Sequence, residues 1–218
     1  MRFALAFIRT TRRRNREWSW ETMASLRERK KLETRAKLVE VTLDLAARHG
    51  LAHVKVEDIA AAANVSPRTF NNYFPSKEAA IIGSAEDRGK RIAEALLASP
   101  KDMDIQDAAR AAILTQFPEV PDKAWLAQLM LIRRDPNLVA EQRRADSQAE
   151  DFLATAVAQR EGIPLDEEIF PRMLAATLVA AIHAAMQHWL ASEARAPFRT
   201  TLEEALGRLV IAPAPRST

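Results

Sequence analysis

Residues 55–78 read KVEDIAAAANVSPRTFNNYFPSKE, and the fold turns on how this stretch breaks and restarts. Val56, Ile59 and Ala60 recur at helical spacing. Asn64-Val65 interrupts the pattern, and Ser66-Pro67 restarts it, because a Ser hydroxyl caps free helix amides and Pro suits the first helical position. Two short helices joined by a tight turn result. The second, Pro67 to Tyr73, is too short to persist without tertiary support. Its start carries Arg68, Thr69, Asn71 and Asn72, side chains able to donate to and accept from base edges. This is the layout of a helix-turn-helix that offers its second helix to a DNA groove. A surface helical hairpin with ordinary polar residues has the same spacing, so spacing alone leaves both readings open.

The order of the residues separates them. Asp58-Ile59-Ala60, Ala63-Asn64-Val65-Ser66, Thr69-Phe70, Tyr73-Phe74 and Ser76-Lys77-Glu78 together resemble the DNA-binding domain of the TetR (tetracycline repressor) family of transcription factors. Upstream, Thr34-Arg35, Leu38-Val39 and Arg48-His49-Gly50 resemble that family's first helix, so the likeness runs over residues 28–85. Two positions depart from the pattern. Lys55 stands where a Thr is usual, which loses an N-cap but sets a cation where a phosphate would pass. Ala46 replaces an aromatic, which predicts a thinner three-helix core.

The resemblance implies an all-α chain. A three-helix helix-turn-helix domain over residues 28–78 precedes a helical ligand-binding and dimerisation domain over 79–210, with an extension at 1–27 and a tail at 211–218. It also implies a DNA surface made of Lys55, Ser66, Pro67, Arg68, Thr69, Asn71, Asn72, Tyr73 and Lys77. In that surface the Tyr73 hydroxyl reaches a phosphate oxygen. Lys77 meets a second phosphate at a helix terminus whose free amides already attract anions. Phe70 and Phe74 are expected in the core. The implied partners are double-stranded operator DNA, a second copy of the chain and a small-molecule effector, with no cofactor.

Charge is distributed to suit this. Residues 1–22 carry net +4, residues 23–78 net +3 and residues 79–218 net −4, within a total of +3. A basic head and an acidic, water-facing body show this division when the head meets a polyanion. Gly is scarce, Ala, Leu, Glu and Arg are abundant, and helix is the default state of such a chain. Cys is absent, which excludes disulfides, thiolate metal sites and cysteine nucleophiles and agrees with a cytoplasmic protein. No G-x-S-x-G, phosphate loop, dinucleotide glycines or His-Glu-x-x-His occurs, so catalytic residues are assigned nowhere and the chain is not read as an enzyme. A helical adaptor that binds protein through the same faces is the alternative.

The extension begins MRFALAFIRTTRRRNREWSW, with its apolar run ahead of the Arg cluster, the reverse of a secretory signal. Arg12, Arg13, Arg14 and Arg16 suit a disordered arm along phosphates. A dispensable extension, or translation from Met23, fits as well. Helix one is expected near Glu33 to Arg48, with Leu38, Val39, Thr42, Leu43, Leu45 and Ala46 on one face and Gly50 as its stop. His49 and His53 straddle that stop without further ligands nearby, so no metal is assigned. Helix four starts at the Ser76 cap and runs through Ile81, Ala85, Ile92 and Leu96 to Ser99-Pro100, a rod joining head to body.

In the body, Pro118, Pro121, Pro136, Pro164 and Pro197 mark helix boundaries. Helices are expected near Ile105 to Phe117, Asp122 to Arg134, Pro136 to Arg160, Asp166 to Glu193 and Thr200 to Val210. Leu131-Ile132-Arg133-Arg134-Asp135-Pro136 together with Ala180 to Leu190 resembles the C-terminal domain of the subgroup that contains the mycofactocin-system regulator, which implies an acyl-coenzyme A-like effector. The resemblance places Phe117, Trp125, Leu129, Met130, Phe152, Met173 and Thr177 around a ligand pocket, although apolar residues of this kind also serve as plain core. Arg133, Arg134, Arg143 and Arg144 suit an anionic head group, or more plainly a solvated helix face. Met173 to Leu190 is nearly apolar, but His183, Gln187 and His188 interrupt it, so it is read as a buried helix and not as a membrane span. Leu174, Leu178, Ile182 and Met186, with Leu202, Leu206 and Leu209, are expected to form a four-helix seam between two copies. A twofold dimer would set two recognition helices about 34 Å apart, one turn of DNA, or a multiple of that spacing.

Overall fold

The computed structural model describes residues 20–119, 121–193 and 195–211. The arginine cluster of the extension and the last residues of the tail fall outside these. Among the described residues there are nine α-helices and no strand: α1 Trp20–His49, α2 Val56–Ala62, α3 Pro67–Tyr73, α4 Lys77–Ala98, α5 Ile105–Leu114, α6 Lys123–Arg134, α7 Pro136–Glu161, α8 Phe170–Ala191 and α9 Phe198–Gly207, with one 3-10 turn at Leu51–His53. The two serine caps read in the sequence are made, and Asp122, expected as the start of a helix, is a third. The Ser66, Ser76 and Asp122 side chains accept the amides of Thr69, Ala79 and Trp125 at 3.0, 3.0 and 2.8 Å.

The first helix is longer than expected. It starts at Trp20 rather than near Glu33, so residues 20–27, assigned to an extension without structure, are helical. No Pro or Gly interrupts this segment, and Arg29 lies 3.7 Å from Glu33 one turn on, the pairing that favours a polar helix. Residues up to Ala36 form one unit and Lys37 onward another.

In the second unit the head closes around Leu38, Val41, Val54, Ile59, Phe70, Phe74 and Ala80, all buried, with the two Phe rings 5.9 Å apart. Gly50 ends α1 at φ 78, in the left-handed region where a side chain is strained. Ala46 is buried, as its face predicts, but against a different neighbour. It joins Leu51, Ile81, Ile82, Leu138 and Ala145 in a cluster that seats the head on α7. The small residue thus admits the body rather than thinning the head.

The body packs around Ile92, Leu96, Ile113, Leu153, Val157, Leu174, Leu178, Phe198 and Leu202. Five residues expected in a seam between copies lie here instead: Leu174, Leu178, Ile182, Leu202 and Leu206 are buried within the single chain, while Met186 and Leu209 pack partly against the same core. The i, i+4 stripe was a true signal of burial, but α8 and α9 turn it toward each other and toward the rest of their own chain. α4 and α7 pack tightly at Gly89, where a Cβ would stand 2.7 Å from the Ala149 Cβ. Only a glycine admits that crossing.

Candidate functional site

On the head, α3 is held at its start by the Ser66 hydroxyl, which accepts the Thr69 amide and shares a 2.8 Å hydrogen bond with the Thr69 hydroxyl. Two of the polar residues expected at DNA are therefore occupied in shaping the helix. Arg68, Asn71 and Asn72 are exposed and make no hydrogen bond among the described residues. Pro67 is exposed beside them, and Tyr73 is half-buried against the head core. Lys55 is exposed at the start of α2, and the cap missing at that position comes from Asp58, whose carboxylate accepts the Lys55 amide at 3.1 Å.

Lys77 is placed differently from the sequence reading. Its ammonium donates to the carbonyls of Leu51 and Val54 at 2.7 and 2.9 Å and is partly buried. The Leu51 carbonyl also accepts the Val54 amide at 3.2 Å, and the ammonium adds a second donor to it while joining it to the Val54 carbonyl at the end of the turn after α1. A lysine at a helix start gives the same sequence signal whether it serves a phosphate outside or a carbonyl inside.

In the body, residues of α4, α6, α7 and α8, with Phe117 from the loop after α5, line a half-open cavity of about 350 Å³. Its apolar walls include Ile92, Phe117, Trp125, Leu129, Leu153, Val179, Ile182 and Met186, and its polar groups include Arg88, Gln128, Gln142, Asp146, His183 and Gln187. Of the seven residues expected to hold a ligand, Phe117, Trp125 and Leu129 line it. The other four do not. Met130 and Met173 are exposed, Phe152 lies beneath the Lys90 ammonium, 5.2 Å from its ring, and the Thr177 hydroxyl turns back to the Met173 carbonyl at 2.7 Å. Each sits on a helix that touches the cavity but one turn or one face away, which the sequence could not resolve.

The polar side of the cavity was not foreseen, except that Arg133 and Arg143, read as a solvated face, reach its rim. Arg88 stacks on Phe117, its guanidinium carbon 4.7 Å from the ring centre. Burial first, and the charge of Arg91 second, push its pKa down to about 10, so it stays charged at neutral pH. The Gln128 amide, buried, donates to the Ile81 carbonyl of α4 at 2.6 Å. Gln128 thus touches both the cavity and the rod that carries the head.

His183 lies 3.3 Å from Asp146, whose carboxylate also accepts from Gln142 at 2.7 Å. The Asp146 hydrogen bond raises the His183 pKa above 6.5; burial opposes the rise, and the charges of Asp146 and Glu150 support it. A raised pKa stabilises the fold while pH is below the unfolded value, and the gain fades as pH climbs through the folded one. An NMR titration of the His183 ring is therefore expected to show a midpoint above 6.5, and Asp146→Asn to lower it. A midpoint unmoved by that substitution would remove Asp146 as the cause.

Comparison with known proteins agrees with this arrangement. Residues 38–80 match the family of bacterial regulatory proteins named for tetR, and residues 103–212 match the MftR C-terminal domain. The chain is 31% identical over 172 residues to the HTH-type transcriptional regulator TcmR of Streptomyces glaucescens, covering 75% of this chain and 76% of TcmR. It is 29% identical over 181 residues to MftR of Mycobacterium tuberculosis, named as a mycofactocin biosynthesis transcriptional regulator, covering 82% and 88%. The solved structure of SmeT, the repressor of the Stenotrophomonas maltophilia multidrug efflux pump SmeDEF, shares the fold at a TM-score of 0.53 and 17% identity, over 79% of this chain and 86% of SmeT. These matches show that the chain belongs to the TetR family of DNA-binding transcriptional regulators, with a body of the MftR type.

Proposed function

We propose that the chain is a homodimeric repressor that leaves its operator when a small, largely apolar effector fills the body cavity. The observation that carries this is the double contact of Gln128, which lines the cavity and holds the Ile81 carbonyl of α4. An effector that displaces Gln128 changes how α4 is held. Such a ligand acts only through a difference in affinity between the two placements of α4; equal binding to both would shift nothing. On the operator, Arg68, Asn71 and Asn72 read base edges, while Lys55 and Tyr73 meet phosphates. The protein works in the cytoplasm, where the operator is.

The second copy is proposed to sit on α8. That helix is long and apolar enough to cross a bilayer by composition, yet only 44% of its apolar stretch is buried in the chain. Met173, Ala176, Ala180, Ala184 and Ala191 lie on the uncovered side, opposite the stripe that faces the core, together with the exposed Arg172, Gln187 and His188. Small residues on that side permit close helix approach between two copies, which would cover it without a membrane.

Titrating the protein against its own upstream DNA tests the reading. A sequence-dependent shift by a dimer, well above binding to random DNA of equal length, is expected. Equal affinity for both DNAs would overturn it.

A further inference from the structure

We infer that the effector is an apolar molecule with one negatively charged carboxylate, and that Arg88 is the residue that reads the charge. This rests on the cavity being the effector site. Three arginines, Arg88, Arg133 and Arg143, border the cavity against one carboxylate, Asp146. Asp146 is already engaged by His183 and Gln142. Arg88 stacks on Phe117 and makes no ion pair among the described residues. A partly desolvated cation held without a counter-ion is costly, and a carboxylate that pairs with its fork removes that cost. A neutral ligand would instead bury Arg88 further and leave it unpaired. The site therefore selects for the anion by penalising its neutral analogue as well as by attracting it.

The remainder of the wall sets the body of the ligand. Ile92, Leu129, Leu153, Ile182 and Met186 offer no polar atom beyond a thioether, so the part that enters is apolar. A volume of about 350 Å³ is at the small end of ligand pockets, which admits a compact chain or ring system. Arg88 adjoins Gly89 on α4, so the charge of the ligand acts on the same helix that carries the reading head.

The test is calorimetric titration of the full chain with two carboxylates, decanoate and naphthalene acetate, and with the methyl ester of each. The two pairs separate an aliphatic from an aromatic body. At least one carboxylate is expected to bind about tenfold or more tightly than its ester, the effect of one charge-assisted pair. Arg88→Met keeps the length of the stem and should abolish that preference, weakening the acid and strengthening the ester, because the unpaired cation no longer opposes a neutral ligand; Arg88→Lys should restore part of it. Esters that bind as well as the acids, a preference that survives in Arg88→Met, or no heat from any of the four would each overturn the inference. Operator binding by the ligand-free protein, followed in parallel, separates the two failures: its absence sinks the regulator reading, while loss of charge preference with intact operator binding sinks this one alone.

Discussion

Replacing Arg160 by Leu is expected to lower the stability of the chain by about 4 kcal/mol, a loss at the top of the range for single substitutions. The Arg160 side chain is 1% exposed, and its guanidinium serves the open end of α4. One terminal nitrogen donates to the carbonyls of Leu96 and Ser99 at 3.4 and 3.0 Å, the other to those of Pro100 and Met103 at 2.5 and 3.0 Å. Carbonyls at a helix C-terminus have no partner within the helix and sit at the negative end of its dipole, so a fork of donors there satisfies several at once. Its Nε finds no hydrogen bond, which shows that the site is shaped for the two terminal nitrogens. Leu would fill the space but take the donor from the Ser99 and Met103 carbonyls and leave those of Leu96 and Pro100 with only the amides of Ser99 and Met103, at 3.3 and 3.2 Å; a carbonyl left without a partner costs roughly 1 to 3 kcal/mol before relaxation. Chemical denaturation measures this directly, and Arg160→Lys should recover part of the loss through one donor group. A loss below about 1 kcal/mol in Arg160→Leu would mean that water replaces the guanidinium freely.

Arg68→Ala and Asn71→Ala are each expected to weaken operator binding by about 1 to 3 kcal/mol per half-site, with little change on random DNA. Both side chains are exposed and free of hydrogen bonds within the protein among the described residues, so truncating them leaves the head folded. Losing the bond from either one to a base edge removes discrimination at that position and leaves phosphate contacts intact. Equal losses on both DNAs would show that these residues do not read bases. Lys77→Ala is the informative contrast. Because its ammonium is committed to the Leu51 and Val54 carbonyls, the substitution should lower the melting temperature of the protein, an effect that Arg68→Ala and Asn71→Ala lack.

Much of the fold is legible in the sequence because its boundaries are local. Ser66, Ser76 and Asp122 each cap a helix through a residue three positions on, and Pro136 opens α7 where its ring suits the first turn. What is not legible depends on which elements meet. The stripe of Leu174, Leu178 and Ile182 marks a covered face but not what covers it, and the cover is the chain's own core. Arg88, Gln128 and His183 lie on three helices, and nothing local in the sequence brings them to one cavity. His183 had a signal, an imidazole at the centre of a largely apolar helix, but its partner Asp146 sits a whole helix earlier. The start of α1 was missed for the opposite reason: a polar helix has no apolar period to read, only helix-forming residues and charge pairs one turn apart.

The clasp of Lys77 on the turn after α1 determines what kind of failure releases DNA. A joint made of charged hydrogen bonds, each contributing about 1.5 to 3 kcal/mol, does not stretch under small forces. Any tilt that reaches the first turn of α4 is handed to the whole three-helix block with no slack. Induction would then misplace two intact readers rather than melt either one, and a released regulator would keep a folded head ready to bind again as soon as the effector departs.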